Sequence, residues 1–157
     1  MDIKNVVVAG GGVLGSQIAF QAAYCGFNVT IWLRSEASIG RTQPKLDNLK
    51  KVYIDTINLM ATKEGQTPQN WANGIADFET FDKDKCLTQV ESAYNGIKLE
   101  LDMKKAVADS DLVIESMAEH AIAVKICKIY RKSGKIFIFA LCKLYMEKQY
   151  CGNNVAT

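Results

Sequence analysis

Val6-Val7-Val8-Ala9-Gly10-Gly11-Gly12-Val13-Leu14-Gly15 decides how this chain is read. An apolar, β-branched run closes in the pattern G-x-G-x-x-G, formed by Gly10, Gly12 and Gly15, and passes directly into residues with helical spacing. Strand, tight turn and helix in that order aim the unpaired N–H groups of a helix N-terminus at a point where an anion can sit. Each glycine of the pattern has its own task. The first lets the chain turn sharply, the second keeps a Cβ out of the way of a phosphate, and the third lets the helix pack close to the strands. Glycine-rich turns also occur without any ligand. The strand before this one, the helix after it and its place near the start of the chain are what mark a dinucleotide site. The candidate pyrophosphate cradle is therefore the backbone of Gly10, Gly11, Gly12, Val13, Leu14 and Gly15.

Working outward, Ile3 to Ala9 is continuously apolar, as a strand buried on both faces should be. Leu14, Ile18 and Ala22 recur at helical spacing and predict a helix over 13–25, with Gly26 as its stop. Val29, Ile31 and Leu33 predict a second strand, which completes a βαβ unit of about 30 residues. From Pro44 to Met60, the apolar positions Leu46, Leu49, Val52, Tyr53, Ile57 and Met60 describe a long helix. Residues 64–83, with Gly65, Pro68, Asn73 and Gly74, read as loop. A short helix around Cys86 to Ala93, a third strand through Ile97, Leu99 and Leu101, and a short helix capped by Asp102 follow. Leu112-Val113-Ile114 is a brief fourth strand. A helix to about Lys132 and a fifth strand over Ile136 to Leu141 complete the pattern. The expected fold is α/β, a Rossmann-type doubly wound parallel sheet with a helical insertion after the second strand and an incomplete set of strands.

The composition is that of a soluble globular domain. The chain has 157 residues, 48% of them hydrophobic and 23% charged, enough for one packed domain. A net charge of +2 gives no reason to expect nucleic acid as a partner, and no apolar run approaches the ~20 residues a membrane helix requires. Five scattered cysteines without a C-x-x-C pair argue against a disulfide framework and against a metal site, and fit a reducing cytoplasm. Charge divides the chain unevenly. Residues 1–125 carry 13 basic and 16 acidic side chains, whereas 126–157 carry six and one, along with three of the five cysteines. The expected organisation is a dinucleotide-binding domain over 1–125 and a divergent or frameshifted tail over 126–157 that includes one helix and the fifth strand.

Several of these residues together resemble the N-terminal domain of the 3-hydroxyacyl-CoA dehydrogenases. The resemblance is carried by the near-terminal glycine pattern, the helix Leu46 to Val52, the stretch Ala106 to Asp111, and Asp111-Leu112-Val113-Ile114-Glu115-Ser116-Met117-Ala118-Glu119. The last of these is similar to the family segment D-L-V-I-E-A-x-x-E. It covers residues 1–125 and then fades. It implies nicotinamide-dependent oxidation of a 3-hydroxyacyl thioester to the 3-ketoacyl form, or the reverse, in fatty acid metabolism, with acyl-CoA as substrate. In that family a following all-helical domain makes the dimer contact and a His-Glu pair with nearby Ser and Asn performs the chemistry. This chain has one histidine, His120, placed well before the family's catalytic one, and no N-x-S-S segment after Leu141. No catalytic residue is assigned, the dimer contact is missing, and the chain is expected to be inactive alone. His120 reads as a solvated residue at a helix start.

The resemblance also implies site residues. Glu119 matches the glutamate that reaches the nicotinamide side, Ser116 lies on the same loop as a backbone contact, and Glu115 ends the strand. Lys125 stands near a cofactor-contacting lysine. Asn48 and Asp55 match two CoA-holding positions, although an aspartate there would repel the CoA phosphates. At the end of the second strand, Leu33 replaces the acid that holds the ribose hydroxyls in NAD sites. Arg34 and Ser35 beside it suit a 2′-phosphate, while Glu36 serves as the ribose acid if the loop is a turn longer. The cofactor is thus NAD or NADP. Two other readings stand beside this one: a stand-alone NAD(P)-binding module, and another short hydroxyacid dehydrogenase.

Overall fold

The computed structural model describes residues 2–117 and the backbone of a strand over Ile136–Phe139. In chain order the elements are β1 (Asn5–Ala9), α1 (Val13–Tyr24), β2 (Asn28–Trp32), α2 (Glu36–Met60), α3 (Lys83–Gly96), β3 (Lys98–Glu100), α4 (Met103–Val107), β4 (Leu112–Glu115) and β5 (Ile136–Phe139). A single 3-10 turn, Phe78–Thr80, interrupts the connection between α2 and α3. The strands form one sheet in the order β3-β2-β1-β4-β5, every pair parallel. β1 is central, and the chain winds outward from it in both directions. That is the doubly wound arrangement expected from the sequence. β5 lies where the fifth strand was expected, beside β4, although it ends at Phe139.

Alternate residues of the central strands feed two cores, as the two-residue period of a strand requires. Val6, Val8, Val29, Ile31 and Leu33 pack with Phe20, Leu46, Ile57 and Val90 under α1, α2 and α3. Val7, Ala9, Trp32 and Val113 face the other way, against Ala106 and Val107 of α4. The helical insertion after β2 thus lies on the same side as α1. At the opposite end of the strands, Asp111 Oδ2 accepts from Lys4 N at 3.0 Å and Asn5 N at 2.8 Å, which ties the start of β1 to the start of β4. Asp102 caps α4 by accepting from Lys104 N and Lys105 N, as its position predicts.

One boundary differs from the sequence reading. α2 begins at Glu36, eight residues before Pro44, and carries that proline inside it. Proline lacks the N–H that would bond the carbonyl four residues back, and here that carbonyl belongs to Gly40, which is exposed. What holds the early turns is packing. Thr42 is 1% exposed, and its hydroxyl is shared between Ser38 O at 2.8 Å and Gly11 O at 3.1 Å. α3 likewise starts three residues early, at Lys83, because Asp82 accepts from Lys85 N and sets its N-cap. The expected helix through Lys132 lies outside the described residues.

Candidate functional site

The carboxyl ends of β1, β2 and β4 converge where the strand order reverses, the place where open α/β sheets bind ligands. Gly10 leaves β1 with φ +115°, in the region that glycine tolerates and other residues avoid. Its N–H donates to Trp32 O at 3.0 Å, and Ser116 N donates to Ala9 O at 2.9 Å, so β2 and β4 both grip the turn. A Cβ on Gly10 would come within 2.8 Å of Ser116 O. On Gly15 it would lie 2.0 Å from Gly10 O, and on Gly11 2.1 Å from Thr42 Oγ1. Gly12 is different: nothing stands within 4 Å of where its Cβ would be. It is also the N-cap of α1, in an extended conformation, and offers no side chain to the helix N–H groups. An open approach to an uncapped helix N-terminus, walled by three glycines the fold itself requires, fits a pyrophosphate.

A cavity of about 250 Å³ runs from this turn toward the start of α2. Gly10, Gly11 and Gly12 floor one end with Ser116 and Met117 beside them; Arg34, Ser38, Arg41, Thr42 and Lys45 line the other, over Trp32 and Leu33. Among the described residues, three cations line it and no Asp or Glu does. Arg41 Nη2 donates to Ser38 Oγ at 3.0 Å, and the Ser35 and Ser38 hydroxyls are 3.1 Å apart. Lys45 Nζ bonds Arg41 O.

The structure sorts the sequence-derived residues. Gly10, Gly11, Gly12, Leu33, Arg34 and Ser116 share the cavity. Gly15 lies below it as a packing residue, and Ser35 acts through Ser38. Leu33 is 3% exposed and donates its N–H to Glu100 O, so it belongs to the core as well as to the wall. Val13 and Leu14 are exposed at the head of α1. Glu36 is the first residue of α2, is exposed, and is not among the described residues that line the cavity. Glu115 is buried, and its carboxylate accepts from Met117 N, shaping the strand end. Asn48 lies in a separate groove between α1 and α2 with Val13, Gln17 and Leu49; Asp55 is exposed two turns on. Glu119, His120 and Lys125 lie outside the described residues.

Ser38, Arg41 and Thr42 were not singled out from sequence, and Lys45 only as a cation near the CoA-holding positions. Their spacing of three, four and seven places them on one helical face. That signal is visible only once the helix is known to start before Pro44.

Fold and turn together define a Rossmann-type dinucleotide-fold domain. No protein-family profile and no curated sequence matches the chain. Solved structures do. A diketoreductase, studied for its dual catalysis of dicarbonyl compounds, is 30% identical over 88% of this chain, with a TM-score of 0.59. A 3-hydroxybutyryl-CoA dehydrogenase from Escherichia coli K12 is 19% identical over 90% of the chain, with a TM-score of 0.56. The dehydrogenase part of multifunctional enzyme 1 from C. elegans is 18% identical over 92%, with a TM-score of 0.58. The chain spans 42%, 25% and 27% of those chains, respectively. The resemblance to 3-hydroxyacyl-CoA dehydrogenases read from the sequence is borne out at the level of fold, which is that of known dehydrogenases and reductases. No described helix is long and apolar enough to cross a membrane.

Proposed function

We propose that this chain is the nicotinamide-dinucleotide-binding part of a dehydrogenase that interconverts a 3-hydroxyacyl-CoA and its 3-ketoacyl form. The observation that carries the dinucleotide reading is the open space at Gly12, at the head of an uncapped helix, among glycines whose own positions the fold forbids to a side chain. The acyl-CoA substrate is supported by the segment Asp111 to Glu119 and by the fold shared with the Escherichia coli and C. elegans enzymes. When bound, the dinucleotide supplies the hydride acceptor or donor. This chain's residues position its pyrophosphate and adenosine end, with the Gly11 and Gly12 backbone at the former and Arg34 and Arg41 toward the latter. Residues 1–125 form this domain in the proposal, with 126–157 a divergent tail.

A second reading, reduction of a dicarbonyl compound, is favoured by the 30% identity with the diketoreductase. It uses the same carbonyl and hydroxyl chemistry and the same cofactor site. Titration calorimetry with NAD⁺ and NADP⁺ tests the shared part. The parent chain is expected to bind at least one of them, and Gly12→Val, which fills the approach to the helix, is expected to lose that binding while remaining folded by circular dichroism. Equal affinity in the two proteins would reject the site.

A further inference from the structure

We infer that Thr42 and Ser16 are positioning residues for the pyrophosphate, their hydroxyls holding the Gly11 carbonyl inward so that the Gly12 N–H stays turned toward the ligand. The inference rests on the dinucleotide reading above and supplies what orients its donor.

Gly10, Gly11 and Gly12 follow one another in the turn. Glycine has the widest backbone freedom of any residue, and a peptide between two glycines meets little steric resistance to flipping. Flipping the Gly11–Gly12 peptide would put an acceptor in place of a donor where an anion arrives. Gly12 is exposed there, and among the described residues nothing stands within 4 Å of where its Cβ would be. The orientation of this peptide is therefore imposed from behind.

Two buried hydroxyls do so. Thr42 Oγ1 donates to Gly11 O at 3.1 Å, and Ser16 Oγ donates to the same oxygen at 3.3 Å. One comes from α2 and the other from α1, so the grip closes only in the assembled fold. The peptide is planar and trans, so a carbonyl held against the two helices turns the Gly12 N–H the opposite way. Ser16 N also donates to Gly12 O at 2.9 Å, which fixes the next peptide along. Thr42 is seated directly on the turn: a Cβ on Gly11 would come within 2.1 Å of its Oγ1 and 2.8 Å of its Cγ2. The single hydrogen of that hydroxyl is shared with Ser38 O at 2.8 Å, and Ser16 provides the second donor. A donor oriented before the ligand arrives needs no ordering on binding, which favours affinity.

The test is titration calorimetry of the full chain with NAD⁺ and NADP⁺. Thr42→Val keeps the branched shape and removes the hydroxyl. It is expected to weaken both dinucleotides by about three- to tenfold and to the same extent, because the pyrophosphate is common to them. Thr42→Ser, which keeps the hydroxyl, should recover most of the loss, and Ser16→Ala should weaken both ligands in the same direction. Ile57→Val, a cavity in the buried part of α2, lowers stability without touching the turn and should bind as the parent does. Parental affinity in Thr42→Val, no recovery in Thr42→Ser, or an equal loss in Ile57→Val would overturn the inference. Should Thr42→Val fail to fold, Ser16→Ala decides, and parental affinity there overturns it. In each of these cases binding that is still lost in Gly12→Val leaves the dinucleotide site standing. A parent chain that binds neither dinucleotide would overturn the two together.

Discussion

A single methyl group distinguishes the glycines of the turn. At Gly15 it would lie 2.0 Å from Gly10 O, a backbone atom that cannot swing aside. At Gly12 it would meet nothing within 4 Å. The first glycine is needed by the fold and the second by whatever approaches it. Gly15→Ala is therefore expected to lower stability by roughly 1–3 kcal/mol through overpacking, read as a drop in the midpoint of thermal unfolding. Gly12→Val loses only the better helix-capping tendency of glycine, about 1 kcal/mol or less. If the Gly15→Ala chain melts with the parent, α1 does not pack on the turn as described. Gly11 has a different reason for lacking a side chain, since Thr42 of α2 closes over it. Asp111 opens the segment that carries the family resemblance, yet its carboxylate holds the backbone of Lys4 and Asn5. That part of the motif is architecture rather than chemistry.

Among the elements, those buried on both faces were legible from sequence. β1 and β4 carry the continuous apolar runs Val6–Ala9 and Leu112–Ile114, and β2 sets Val29 and Ile31 on one face; burying these together fixes their register against β1. Asp102 signalled α4 because an N-cap is a local device. α2 was only half legible. Its first eight residues contain a serine, a glycine and a threonine and run up to a proline, and a single residue among them, Thr42, is buried. They become helix because the turn below offers Thr42 a bond at Gly11 O, a tertiary contact that no local pattern announces. The cationic side of the cavity was missed with it.

Further along α2, the seam with α3 is polar. Tyr94 donates to Asp47 Oδ1 at 2.6 Å, Gln43 donates to the same oxygen, and Lys50 pairs with Glu91 at 2.9 Å while lying over the Tyr94 ring. The bond from Tyr94, followed by that from Gln43, holds the Asp47 carboxyl below its usual range, and the same bond raises the Tyr94 phenol. For the depressed carboxylate, the stabilising contribution is present above its unfolded pKa and fades as pH falls through its folded one. For the raised phenol, it is present below the unfolded value and fades as pH rises through the folded one. Asp47 is exposed and Tyr94 half-buried, so solvent screens the pair and the effect on stability is small. The titration itself is the better readout: in Tyr94→Phe, Asp47 followed by carboxyl NMR should titrate at higher pH than in the parent. An unchanged midpoint would mean that this contact does not persist in solution.

At the scale of the whole molecule, binding and turnover separate. The cavity collects glycine backbone and cations, which suits it to hold phosphates, and among the described residues its lining contains neither a carboxylate nor an imidazole to take a proton from a hydroxyl. The chain's one histidine is His120, and no segment of its sequence resembles the N-x-S-S of the dehydrogenases it is similar to. Hydride transfer from a secondary alcohol needs a base aligned with the hydroxyl and a cleft that excludes water. Val13 and Leu14 at the head of α1 are 67% and 42% exposed. The 157-residue chain is accordingly expected to bind the dinucleotide but to show no sustained oxidation of NADPH or NADH with acetoacetyl-CoA. Absorbance at the reduced-nicotinamide band over many cofactor equivalents provides the measurement. Steady turnover that disappears in His120→Ala would mean that the tail brings a working base to the cleft, and would make the chain an enzyme by itself.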